Sequence, residues 1–223
     1  MTQATIVLDF DGTLHDIMGA YAPAVRSVYG RLEQQGAVPL HEFTEAELKS
    51  FIGITPERMW EQAAPGLAPE LVEESIALVG ESMDRELAGG RGKLFPGVPE
   101  ALDVLKRAGH RLVFLSNCHA DYQERVREAF GLDQWFCAYF NAEEHPGMSK
   151  SEIFREAIGP AFSGPYIGVG DRGGELAMAR ENGFPFIGCA YGYAAPGELD
   201  AADAIAAAPD DIPGLVELIL SRM

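Results

Sequence analysis

Short apolar runs alternate along the chain with longer segments whose apolar positions recur every three or four residues. Residues 4–10 (ATIVLDF) suit a buried strand that ends in acids. Residues 111–116 (RLVFLS) form a second such run, after a helical pattern over 98–108 that Gly109 would stop. A weaker run, 136–140, follows the helix-like 120–130. Residues 166–170 and 184–189 read as two more strands, with helix-like 175–181 between them, closed by Asn182-Gly183. Strands alternating with helices predict an α/β fold: a parallel sheet covered by helices on both faces. The alanine-rich 201–208 reads as a loop or packing segment.

One stretch breaks the alternation. Residues 17–92 contain no convincing strand, and their patterns are helical at 21–35, 45–52, 56–63 and 69–87. Gly53, Pro65-Gly66 and Gly89-Gly90 punctuate them. The reading is a core domain of residues 1–16 and 93–223 with an inserted α-helical domain at 17–92, a plausible size for a small domain. The tethers, one short and one glycine-rich, suit a hinge.

Composition narrows the function. The chain has 223 residues, 17 Lys+Arg against 34 Asp+Glu and a formal charge of −17, with 47% apolar residues. This is globular composition, with no basic surplus for nucleic acid or anionic membrane. A small phosphorylated substrate remains compatible, because one lysine and a metal outweigh the global field locally. No apolar stretch approaches the roughly 20 residues of a membrane span. The first residues lack a secretory pattern, so the expectation is a soluble, cytoplasmic protein. Cys118, Cys137 and Cys189 form no zinc or disulfide pattern, and Cys137 and Cys189 read as buried small hydrophobes.

Candidate chemistry sits after the strands, where open parallel sheets bind ligands. The first ends Asp9-Phe10-Asp11-Gly12-Thr13-Leu14, with two acids placed to converge on one site or simply to sit solvated in a turn. The second ends Leu115-Ser116-Asn117, a hydroxyl and amides that suit an anionic oxygen or a helix cap. Lys150 follows the third. Gly170-Asp171 follows the fourth, with Glu175 four residues beyond Asp171, and that acid pair suits a metal or a cap.

Acid pair, hydroxyl, lysine and acid pair, in that order, resemble the four motifs of the haloacid dehalogenase-like superfamily, in its phosphatase branch with a helical cap. Phe95-Pro96-Gly97-Val98 is similar to that family's return from the cap, and the likeness runs over residues 6–193. Two positions depart from the family pattern: Glu175 stands where an Asp is usual, and Ser151 follows Lys150 where proline is common.

The resemblance implies a Rossmann-like core and a phosphatase acting on a small phosphorylated metabolite, of phosphoglycolate or sugar-phosphate type. It implies Mg²⁺ held by Asp9, the backbone carbonyl of Asp11, and Asp171, with Glu175 direct or through water. Asp9 would be the nucleophile and Asp11 the general acid and base. Ser116 and the amides near Asn117 would hold the phosphoryl oxygens, and Lys150 would offset their charge. Thr13 joins Asn117 as a substrate-binding candidate, and Tyr21, Arg58 and Lys49 are candidate contacts from the cap. His15 is a candidate at the entrance. A Cys118–His119 nucleophile pair lacks a third group to orient it. The presence of Asp11 favours phosphate esters over dehalogenation. A β-phosphoglucomutase-like phosphotransferase is the nearest alternative, but such enzymes typically carry a histidine where this chain has Tyr21. A non-catalytic binding protein on the same scaffold is the second alternative. The expected assembly is a monomer or homodimer.

Overall fold

The structure, a computed structural model, describes residues 3–223. Two compact units divide it. The first comprises Met1–Asp16 and Leu94–Met223, the second Ile17–Lys93, so the second ends one residue later than expected.

Six strands form the sheet of the first unit: β1 (Thr5–Leu8), β2 (Arg111–Ser116), β3 (Phe136–Asn141), β4 (Tyr166–Gly170), β5 (Phe186–Cys189) and β6 (Ala204–Ala206). Their spatial order is β3-β2-β1-β4-β5-β6 and every neighbouring pair is parallel. The chain builds outward from β1 to one side, then crosses back and builds to the other. That doubly wound order places β1 at the switch point, where the connections diverge and leave a crevice at the carboxyl ends.

The apolar runs are continuous because both sheet faces are covered. Val7, Val113 and Leu115 point to one face and join Ile153, Phe154, Leu176 and Met178 in a core cluster. Ile6, Leu8, Leu112 and Phe114 alternate with them, point the other way and are equally buried. In register, Leu8 faces Phe114 on one side and Val169 on the other, so β1, β2 and β4 end nearly level. Residues just past those ends are therefore brought together.

The strand β6 corrects the reading of 201–208 as a loop or packing segment. It is a short edge strand whose Ile205 is exposed and whose Ala206 alone is buried, so it carries no apolar run. Cys137 is exposed rather than buried, because alternation along the edge strand β3 turns it outward. Cys189, in the more central β5, is buried as expected.

The second unit holds four helices: α1 (Met18–Gln34), α2 (Glu45–Ser50), α3 (Pro56–Ala63) and α4 (Pro69–Ala88). Thr44 and Glu47 form a reciprocal cap on α2, and Thr55 caps α3 ahead of Pro56. In the first unit α5 is Val98–Arg107, α6 Ala120–Phe130, α7 Lys150–Ile153, α8 Gly173–Asn182 and α9 Asp211–Leu220. No helix among the described residues is long and apolar enough to cross a membrane.

Candidate active site

Four charged side chains meet past the ends of β1, β3 and β4. Asp9, Asp171 and Glu175 are buried and offer carboxylate oxygens all within 4.8 Å of one another. Lys150, the first residue of α7, reaches into them. Its Nζ donates to Asp9 Oδ1 at 2.5 Å and also to Glu175 Oε1. Ser149 and Glu152 cap α7 reciprocally and so fix where Lys150 starts. The second oxygen of Glu175, Oε2, accepts the Arg172 amide at 3.1 Å, which holds its side chain back over the start of α8. Asp171 Oδ2 accepts the Tyr193 amide at 2.7 Å.

The electrostatics follow from three buried acids with one ammonium among them, which bonds two of the three. Burial raises the pKa of Asp9 well above the usual carboxylate range; Lys150 opposes this, and Glu175 and Asp171 add to it. Burial, then the charge of Glu175, pushes Asp171 up to about 7. Burial disfavours a charged Lys150, but Asp9 and Glu175 outweigh it and hold the ammonium protonated. The cluster is short of positive charge, and all its free donors are oxygens. That donor set fits a hard divalent cation such as Mg²⁺.

Asp11 stands apart from this cluster. Its Oδ1 accepts the Tyr122 hydroxyl at 2.7 Å and lies 2.8 Å from His15 Nδ1, with its side chain 15% exposed. Ser116 is buried at the end of β2, where its Oγ accepts the Cys118 amide at 3.3 Å. It does not cap α6, whose N-cap is His119. Asn117 is half-buried beside it.

Thr13 is fully buried, with its hydroxyl 3.2 Å from Asp171 Oδ1 and 3.4 Å from Asp9 Oδ2, so it braces the carboxylates. One expectation is corrected. His15 is not at an entrance. Its ring is fully buried, stacked 5.2 Å from Phe10 and packed 5.2 Å from Phe130. Burial pushes the Cys118 thiol up to about 12, the reverse of the depressed thiol that an activated cysteine needs, and His119 lies 3.4 Å from Glu143. Tyr21, Lys49 and Arg58 belong to the second unit. Tyr21 is buried on α1, Lys49 pairs with Glu45 at 2.6 Å, and Arg58 is exposed on α3.

Sequence reasoning overlooked Tyr122 and the segment 190–193 after β5. Gly12, at φ 92°, and Gly192 press on Asp171, and a Cβ on either would overlap that carboxylate or the Gly12 carbonyl. Tyr191 donates to the Thr13 carbonyl at 2.7 Å. The position of Tyr191-Gly192-Tyr193 just beyond a strand was the available signal.

The fold places this buried acid–lysine cluster at the switch point of a doubly wound α/β sheet, where such folds bind their ligands. Comparison with known proteins gives the family. Residues 3–183 match the family described as haloacid dehalogenase-like hydrolase. A phosphoglycolate phosphatase of Caulobacter vibrioides is 30% identical over 197 residues, covering 85% of this chain and 80% of its own. A 5'-nucleotidase of Pseudomonas aeruginosa is 26% identical over 88% of this chain and 86% of its own. A solved structure, described as a predicted phosphatase from Clostridium acetobutylicum, superposes with a TM-score of 0.82 at 20% identity, covering 98% of this chain and 99% of its own. The chain belongs to the haloacid dehalogenase-like hydrolase family and falls among its phosphatases.

Proposed function

We propose that this protein is a Mg²⁺-dependent phosphatase that hydrolyses a small phosphate ester through an aspartyl-phosphate on Asp9. The observation that carries the reading is the buried cluster in which Asp9 lies against Lys150, Asp171 and Glu175, with Asp11 held separately by Tyr122. Mg²⁺ would be held by Asp9, Asp171 and the Asp11 carbonyl, with Glu175 direct or through water, and when bound it offsets the repulsion between a carboxylate and a phosphate dianion.

Asp9 attacks phosphorus through a carboxylate oxygen. The bond from phosphorus to the ester oxygen breaks, its electron pair leaves with that oxygen, and Asp11 supplies the proton. Lys150 favours the ionised form of Asp9 against its burial and orients it, and stabilises charge on the phosphoryl oxygens with Ser116 and the amides near Asn117. Asp11, now a carboxylate, then takes a proton from the water that cleaves the acyl-phosphate and releases Asp9. The relatives' substrates, phosphoglycolate and nucleotides, support a small phosphorylated metabolite as the class.

The helical unit serves this reading as a cap that selects the leaving group, with Tyr21, Lys49 and Arg58 as candidate contacts. The chain leaves the core after Asp16, close beyond Asp11, and on its return the Phe95 amide bonds the Leu14 carbonyl at 2.9 Å. The test is an assay of purified protein on a panel of phosphoglycolate, sugar phosphates, nucleoside 5'-monophosphates and 4-nitrophenyl phosphate. Hydrolysis that requires Mg²⁺ and stops on chelation is expected. Turnover unchanged by exhaustive chelation, or none on any ester, would sink the reading.

The cluster also predicts a pH dependence of stability. Folding raises the pKa of Asp171 from 3.8 to about 7, and that of Asp9 in the same direction. The folded state therefore binds more protons across that window, and stability is lost as pH rises through it. The Tm of the chelated protein should fall from pH 5 to pH 8, and Mg²⁺ should raise Tm more at pH 8 than at pH 5. A chelated Tm that climbs over this range would contradict the assignment of the cluster.

A further inference from the structure

We propose that Tyr122 and His15 form a two-donor clamp that positions Asp11 as the general acid, making Tyr122 a positioning residue for the reaction. The inference rests on the phosphatase reading above, in which Asp11 protonates the leaving oxygen. Both groups address the same atom. The Tyr122 hydroxyl donates to Asp11 Oδ1 at 2.7 Å, and His15 Nδ1 lies 2.8 Å from that oxygen. Because a carboxylate is the partner, the proton is assigned to Nδ1.

The clamp is rigidly built. Tyr122 is buried near the start of α6. The His15 ring is fully buried, and Phe10 and Phe130, the last residue of α6, hold it. His15 Nε2 is buried with no hydrogen-bond partner among the described residues, a cost that a purely structural histidine would avoid and that the Nδ1 contact offsets. A carboxylate oxygen can only accept, so the buried Tyr122 hydroxyl is the donor in its contact with Oδ1. With Oδ1 taken by two donors, Oδ2, which has no partner among the described residues, is the oxygen left for the leaving group, and the Asp11 side chain is 15% exposed.

The chemistry follows from that asymmetry. As the ester oxygen leaves, the proton on Asp11 Oδ2 passes to it and the negative charge stays on Asp11, where Tyr122 and His15 already donate to Oδ1. Two aligned donors stabilise this anion without reorganisation. The benefit is largest when the leaving oxygen is strongly basic and needs its proton early, and small when it is a good leaving group.

The experiment measures kcat/KM with Mg²⁺ on an alkyl phosphate and on 4-nitrophenyl phosphate. Tyr122→Phe should lose about tenfold or more on the alkyl ester and stay within about threefold of wild type on the nitrophenyl ester. In an Asp11→Asn background the same substitution should change neither rate further. Equal losses on both esters, or an undiminished loss without Asp11, would overturn the clamp and leave Tyr122 a packing residue. If Asp11→Asn alone shows no greater loss on the alkyl ester, the acid role of Asp11 fails first, and the clamp with it. Should Tyr122→Phe not fold, His15→Asn, which keeps a donor near the Nδ1 position, is compared with His15→Leu, which does not. Only the Leu variant should show the selective loss on the alkyl ester, and like behaviour of the two would overturn the proposal.

Discussion

Asp9→Asn should reduce turnover by about 10⁴-fold or more while leaving the protein at least as stable as wild type. The two halves of this expectation have one cause. An amide matches the carboxylate in shape but is a very poor nucleophile, so the covalent step is lost. Asp9 is also a buried acid whose ionised form is disfavoured by burial and by two neighbouring carboxylates. A neutral isostere relieves that repulsion, and Lys150 keeps Glu175 as its partner. Measuring kcat with Mg²⁺ alongside Tm checks both halves. A variant with near-wild-type turnover would remove Asp9 from the mechanism, and one that loses activity only because Tm collapses would make the residue structural.

Lys150→Met carries the second large effect, and here stability and rate fall together. Lys150 is 3% exposed and is the cation that Asp9 and Glu175 share. Removing one partner of a buried ionic group typically costs about 3–5 kcal/mol, because the charges left behind have neither water nor a counter-ion. The carboxylates would escape this cost by taking up protons, so the Tm deficit should be larger at pH 8 than at pH 5. Loss of a preorganised cation beside the transferring phosphoryl group should lower kcat by about 10²–10³-fold. Lys150→Arg should not rescue either property, since the buried site holds a compact ammonium and the bulkier guanidinium would overpack it. Wild-type Tm and kcat in Lys150→Met would show that the ammonium matters to neither.

How much of this was legible in the sequence follows from where each residue sits. Strands β1, β2 and β4 announced themselves as apolar runs because they are central and covered on both faces, and their ends carried Asp9, Ser116 and Asp171. Lys150 and Glu175 were legible only through their order relative to those strands. Their convergence on Asp9 depends on the parallel order of the sheet. The edge strand β6 escaped because Ala204, Ile205 and Ala206 make no buried run. Helix α9 was overlooked although Ile212, Val216 and Ile219 are buried at helical spacing, because 209–223 carries no motif that drew attention. Tyr122 lies 111 residues from Asp11, and no local pattern signals so remote a partner. His15 and Thr13 were placed near substrate because they adjoin the acids, but the tight turn after β1 folds both inward. The glycines at 12 and 192 show the opposite limit, because a missing Cβ leaves no trace in a hydrophobic pattern.

The central claim is that Asp9 carries the phosphoryl group. Acid-quenching the enzyme during turnover of a labelled phosphate ester, then locating the label by peptide mass spectrometry, tests it most directly. The account predicts label on Asp9, absent from Asp9→Asn. Label on Ser116 or His119, or hydrolysis that places solvent oxygen on phosphate with no labelled enzyme at any time, would contradict it.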